Sequence, residues 1–162
     1  MKIKRMAFLQ IIISALREFK DWIRRVNATE IFKFSKNIDF RRYRDADGEF
    51  NYGININGGD ASETNWISER EFHRFADVVF NLSQEINQID LHNGNQLPAH
   101  LFNWVHITDE LRLRVKVKRK KKIVVHIRCV GYFFFYYEEL GQDEIASMAS
   151  FLQAIIKTEE SK

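Results

Sequence analysis

The chain has few residues that cross-link, break or loosen a fold. Cys129 is the only cysteine among 162 residues. An intramolecular disulfide is therefore excluded, and a reducing, cytoplasmic setting is the expectation. One proline and seven glycines leave little material for long flexible linkers. No apolar run approaches the ~20 residues needed to cross a bilayer, so no membrane partner is expected. The opening stretch "MKIKRMAFLQIIISAL" is faintly like a signal peptide. Gln10 and Ser14 interrupt it, no small-residue cleavage site follows, and charged helical sequence continues directly, so a retained helix is the expectation.

Catalytic signatures are missing as well. There is no G-x-S-x-G, no Walker loop and no H-E-x-x-H, and Gly58-Gly59 precedes a helix only after a long loop, so no phosphate cradle is expected there. Neither enzymatic activity nor a cofactor is expected. His92, His100 and His106 lie near Asp90 and Asp109, but their spacing fits no compact ligand motif, and no metal is expected. Cys129 should point into the core as a small hydrophobe.

Bulky apolar material is abundant. Hydrophobic residues make up 45% of the chain, with 14 phenylalanines. This composition implies one folded domain spanning 1–162. Residues 5–26 read as a helix. Leu9, Ile12, Ile13, Leu16, Phe19, Ile23 and Val26 form one apolar stripe, and Phe8, Ile11, Ala15 and Trp22 form a second. A surface helix needs only one stripe. Two readings follow: a helix wedged into its own core, or one whose extra stripe mediates homo-oligomer contacts.

Residues 31–44 read as one long half-buried strand, bent near Lys36, with Phe32, Phe34, Ile38 and Phe40 on its core face. "DADG" at 45–48 signals a turn. "EFNYGININ" alternates with Phe50, Tyr52, Ile54 and Ile56 inward, and 58–65 reads as a loop. Ser68 and Glu71 form a capping box that opens a helix from 69 to about 88. The stretch 90–100 contains Pro98 and reads as a linker. A β-hairpin follows, turning at "KRKKK" (118–122), and its return strand puts Ile123, Val125, Ile127 and Cys129 on the core face. Residues 132–137 form a third, aromatic strand, and a last helix begins at 141–144.

The fold class is thus α+β, with antiparallel sheets backed by helices. Two halves, 28–89 and 101–158, each run strands first and helix last. A displacement of 73 residues carries Phe72, Phe75, Ala76, Val79 and Leu82 onto Ile145, Met148, Ala149, Leu152 and Ile155. An internal duplication is one reading of this match. The strands are expected not to register at the same displacement.

Net charge is only +3, yet residues 110–130 hold nine Lys/Arg and one acid, a local +8 that leaves −5 for the remainder. In "LRLRVKVK" the apolar and basic residues alternate strictly. A strand therefore presents Arg112, Arg114, Lys116 and Lys118 on one face, and the return strand adds His126 and Arg128. Like charges opposite one another in a sheet are destabilising. Three explanations compete: a solvated face that blocks edge pairing, cover by the chain's own acids (Glu138, Glu139, Asp39 or Glu49), or a polyanionic partner.

Arginine forks onto phosphate oxygens, and aromatics adjoin the hairpin. Tyr132, Phe134 and Tyr136 alternate with Phe133, Phe135 and Tyr137. Stacked bases would contribute ~1–3 kcal/mol each. The expectation is single-stranded DNA or RNA bound without sequence preference. The expected contacts are Arg112, Arg114, Lys116, Lys118, Arg119, Lys120, Lys121, Lys122, His126, Arg128, Tyr132, Phe134 and Tyr136. The alternative is a protein-interaction module, an inhibitor or adaptor, whose basic face docks an acidic protein.

"DFRRYRDADGEFNYGININ", followed by "WISEREFHRFADVVF", resembles the strand–turn–strand–helix of the positive-cofactor-four family of single-stranded DNA-binding proteins. The matching positions are Arg41, Arg42, Tyr43, Asp47, Gly48, Gly53, Ile54 and Phe72. The paired strands-then-helix halves are also similar to Whirly and Pur-repeat proteins, which bind single strands across curved sheets. This resemblance implies that Arg41 and Tyr43 join the nucleic-acid contacts. The loop at 58–65, the placement of the basic hairpin and the apolar N-terminal helix fall outside the family pattern.

Overall fold

The computed structural model describes residues 12–20, 22–23, 29–57, 62–130 and 135–159. Four antiparallel strands form a first sheet in sequential order: β1 (Glu30–Lys33), β2 (Ile38–Arg44), β3 (Phe50–Asn57) and β4 (Ser62–Ser68). Helix α1 (Glu69–Asn87) follows directly. Two short 3₁₀ turns, Leu91–Asn93 and Ala99–Phe102, lead to a second sheet. It comprises β5 (Val105–His106), β6 (Leu111–Lys118), β7 (Lys122–Val130) and β8 (Phe135–Gly141), again antiparallel and in order, and is followed by helix α2 (Gln142–Lys157). The class is α+β with helix-backed antiparallel sheets. No helix among the described residues is long and apolar enough to cross a membrane.

Two strand expectations need correction. Residues 31–44 are two strands rather than one bent strand, and Phe32 pairs with Phe40 across a tight reversal. The reversal contains neither glycine nor proline. Ser35 makes it instead: its hydroxyl accepts the N–H groups of Asn37 and Ile38, and the Phe34 N–H reaches Ile38 O at 3.1 Å. Residues 62–65 of the expected 58–65 loop belong to β4, which pairs with β3 from Asn57↔Ser62 to Asn51↔Ser68. Residues 58–61 lie outside the described set. The strand is camouflaged because its core-facing Asn65 is polar. Asn65 is buried, and its amide donates to Glu110 Oε2 at 2.8 Å.

The turn at 45–48 is present. Asp45 Oδ1 accepts from the N–H groups of Asp47 and Glu49, and Gly48 takes φ +90°, a conformation that costs other residues a Cβ clash. Ser68 and Glu71 close the capping box of α1, and the Gly141 N–H donates to Glu144 Oε2 at the start of α2.

Both helices pack against the sheets around one continuous core. Phe40 of β2 meets Phe72 and Phe75 of α1 and Phe151 of α2. Tyr52 lies flat on Phe72 with ring centroids 4.0 Å apart. Fully burying a side chain of this size contributes about 1.5–3 kcal/mol. Cys129 is buried in this core, as expected.

The 73-residue displacement extends beyond the helices, which corrects the expectation that the strands do not register. It carries β4 (Ser62–Ser68) onto β8 (Phe135–Gly141), the start of β2 onto that of β6, and the start of α1 onto that of α2. Buried Ile38, Phe40, Ile54, Ile56 and Ile67 fall on Leu111, Leu113, Ile127, Cys129 and Leu140, all buried too.

Within the expected N-terminal helix, residues 12–20 and 22–23 are helical, and the rest of 5–26 lies outside the described residues. Ile13, Leu16, Phe19 and Trp22 are each more than half exposed, so these side chains are not wedged into the core. An ion pair at 2.6 Å joins Arg17 to Asp47 in the β2–β3 turn.

Candidate nucleic-acid interface

Strand alternation and cross-strand register build the outer face of the second sheet. Arg112 lies opposite Arg128, Arg114 opposite His126, and Lys118 opposite Lys122. The next strand places Tyr137 beside Arg128 and Glu139 beside His126. The strand positions of this face thus hold six cationic side chains, counting Lys116, against one carboxylate, Glu139.

The carboxylate serves only the lysine end. Glu139 pairs with Lys118, lies 3.6 Å from Lys116 and stands 3.4 Å from His126 Nδ1. The hydrogen bond from Lys118 holds its pKa below the usual carboxylate range despite partial burial. His126 is buried and stacked on Tyr137, and its ring stands nearly perpendicular to that of Trp104. Its pKa is pushed below the ordinary value, first by burial and then by the Lys116 charge; the Glu139 contact opposes both.

The arginine end is completed by rings instead. The Arg114 guanidinium lies 4.4 Å from the Trp104 ring centroid and that of Arg112 5.8 Å from it, while Arg128 sits 3.8 Å from the centroid of Phe135. Among the described residues, none of these three arginines makes a hydrogen bond or an ion pair with a carboxylate. The Nε groups of Arg112 and Arg114 are sheltered and find no acceptor. Cation–π contact contributes about 0.5–2 kcal/mol and leaves hydrogen-bonding capacity unused. Phe135 and Tyr137 are 61% and 60% exposed, so flat apolar surface lies open beside these cations.

The hairpin tip adds Arg119, Lys120 and Lys121, which are exposed like Lys122 beside them. Lys120 and Lys121 take φ of 61° and 56°, in the left-handed region where glycine or asparagine is usual. Lys121 Nζ donates to Leu91 O at 3.0 Å.

The remaining expected contacts fall elsewhere. Tyr136 points to the core side, where it packs against the buried cluster, and its neighbours Phe135 and Tyr137 occupy the basic face. Tyr132 and Phe134 lie outside the described residues. Arg41 and Tyr43 belong to the outer face of the first sheet, which satisfies itself internally. Asp39 binds Arg41 at 2.8 Å and Asn55 at 2.8 Å, Thr64 donates to Asn55, and buried Tyr43 meets Trp66 edge to face. Trp66 in turn sits over Gly53, where a Cβ would come within 3.1 Å of the indole. The 73-residue displacement relates Asp39 to Arg112, Asn55 to Arg128 and Trp66 to Glu139. The two halves share a framework but differ in the electrostatics of their outer faces.

Trp104, Phe135 and Tyr137 belong to this face but were not among the expected contacts. Trp104 lies just before β5, and the signal for it was its closeness to His106, which pairs with Arg112. Arg42, a position matched by the resemblance, lies off this face: it is buried in the first sheet, held by Glu30 at 2.8 Å, and sits between Phe32 and Phe50. Of the imidazoles weighed for a metal, His100 pairs with Glu85 at 2.8 Å. No protein-family model and no curated protein matches this chain.

Proposed function

We propose that this protein binds single-stranded DNA or RNA, without sequence preference, on the outer face of its second sheet. One observation carries the reading: Arg112, Arg114 and Arg128 have no carboxylate partner among the described residues, and they lie beside exposed Phe135 and Tyr137. Phosphate oxygens supply the acceptors that guanidinium groups lack, and bases supply partners for open rings. A duplex offers the phosphates but keeps its bases stacked inside, so an unpaired strand uses both parts of the surface. The paired four-strand-then-helix halves support the resemblance to Whirly and Pur-repeat proteins. On this reading the first sheet's outer face, closed by Asp39, Asn55 and Trp66, is not part of the binding surface, and Arg41 and Tyr43 leave the contact set.

Titration of a fluorescently labelled oligonucleotide tests the proposal. Single strands should bind with an affinity that rises with length and should outcompete a duplex of the same length. Absence of binding at low salt removes the proposal. It would favour the second reading, docking on an acidic protein, for which the exposed apolar residues Leu16, Phe19 and Trp22 offer a further contact surface.

A further inference from the structure

Away from the basic face, the start of α1 and the segment just after α2 come together. Glu69 and His73 are four residues apart and lie one turn above the other on the helix. Glu159 reaches them from the far end of the chain: its Oε2 stands 3.1 Å from His73 Nε2, and the potential ligand atoms of Glu69, His73 and Glu159 all lie within 4.8 Å of one another. The geometry points to a divalent metal site made of two carboxylates and one imidazole, and it is independent of the nucleic-acid reading.

Three features of this cluster support a cation. The first is its donor set, since carboxylate oxygen and imidazole nitrogen suit zinc and neighbouring first-row ions. Ligand atoms in a tetrahedral zinc site stand about 3.4 Å apart for bonds of ~2.1 Å. The Glu159–His73 pair already meets that spacing, and a rotamer adjustment at half-buried Glu69 closes the rest.

Second, the negative charge is poorly balanced from within. Arg42 is the nearest guanidinium, but its close N–H groups hold Glu30 at 2.5 and 2.8 Å, and it reaches Glu159 only at 3.9 Å. The Glu69 carboxylate makes no hydrogen bond or ion pair with any described residue. Third, Glu159 is oriented in advance. The Tyr52 hydroxyl donates to its other oxygen. Outer-sphere donors of this kind fix ligand carboxylates in metal sites.

A bound ion would tie the start of α1, in the first half, to the segment after α2, in the second. Binding to the folded state alone stabilises it by mass action. Thermal unfolding of the purified protein, stripped with chelator and then supplied with zinc, should show Tm rising by roughly 5 °C. Competition against a chromophoric zinc indicator should give one site per chain. Glu69→Gln removes a ligand without breaking a side-chain hydrogen bond or ion pair within the described residues, so it should fold normally, lose the Tm response and weaken zinc at least tenfold. His73→Ala should do the same, whereas His100→Ala should not. No zinc response in the wild type, or a full response retained in Glu69→Gln, overturns the site.

Discussion

Lys116 Nζ stands 2.7 Å from His126 Nδ1. An ammonium group has no lone pair, so Nδ1 must accept and the imidazole is neutral with its proton on Nε2. The groups facing His126 are Arg114 and Lys116 on β6, Glu139 and Tyr137 on β8, and Trp104 before β5. Burial and the Lys116 charge together outweigh Glu139.

A pH dependence follows for both folding and binding. The folded pKa of His126 lies below its unfolded value of about 6.5. The unfolded chain therefore binds more protons in that range. The stability contributed by neutral His126 is present above pH ~6.5 and is lost as pH falls toward the folded value. A phosphate on this face would offset the Lys116 charge and raise the His126 pKa, so binding takes up a proton. Oligonucleotide affinity should rise several-fold between pH 7.5 and 5.5, and His126→Gln should flatten that rise. A pH-independent wild-type affinity contradicts the role given to His126.

Glu139 is the only carboxylate on the strand positions of the face, so it competes with any incoming anion. Glu139→Gln frees Lys116 and Lys118 and should tighten oligonucleotide binding a few-fold. Its pKa is depressed, so its ion pairs contribute stability above the ordinary carboxylate range, and this is lost as pH falls through the folded value. With partly exposed partners, removing them should lower stability at pH 7 by roughly 0.5–1 kcal/mol, read from urea unfolding. The difference in urea midpoint between the variant and the wild type should shrink as the pH is lowered below the ordinary carboxylate range.

The closed face of the first sheet gives a test independent of ligand. A Cβ on Gly53 would lie 2.7 Å from Thr64 Cγ2 and 3.1 Å from the Trp66 ring. Gly53→Ala should destabilise the fold by about 1–3 kcal/mol, as overpacking does. Oligonucleotide affinity should be unchanged, because the binding surface belongs to the other sheet. A large loss of affinity in the folded variant would bring the Trp66 face into the site.

These expectations rest on features that the sequence showed unequally. The hairpin of β6 and β7 was legible because strict alternation states both its strand geometry and its inward face. Both helices were legible from their capping glutamates, Glu71 and Glu144, and their apolar spacing. The β1–β2 reversal was hidden because Ser35, rather than glycine or proline, makes the turn, and because Phe32 and Phe40 keep the same parity whether the strand bends or doubles back. In β8 the aromatics fill both faces, so they carry no parity signal. Leu140, buried two pairs along from Tyr136, is the residue that marks the inward face. The pairing of Glu139 with the lysines and the contacts of Trp104 with the arginines depend on cross-strand neighbours, which a linear pattern does not state.

The most direct test of the unpaired arginines is the salt dependence of binding by the triple variant Arg112→Gln, Arg114→Gln, Arg128→Gln. Each phosphate neutralised on a single strand contributes about −0.7 to the slope of log affinity against log salt. The triple variant should still fold, because relief of the repulsion across the Arg112–Arg128 pair offsets the lost contacts with Trp104 and Phe135. Its slope should be shallower by about 2 if each arginine meets one phosphate. A slope equal to that of the wild type would contradict the assignment of this face to a nucleic-acid strand.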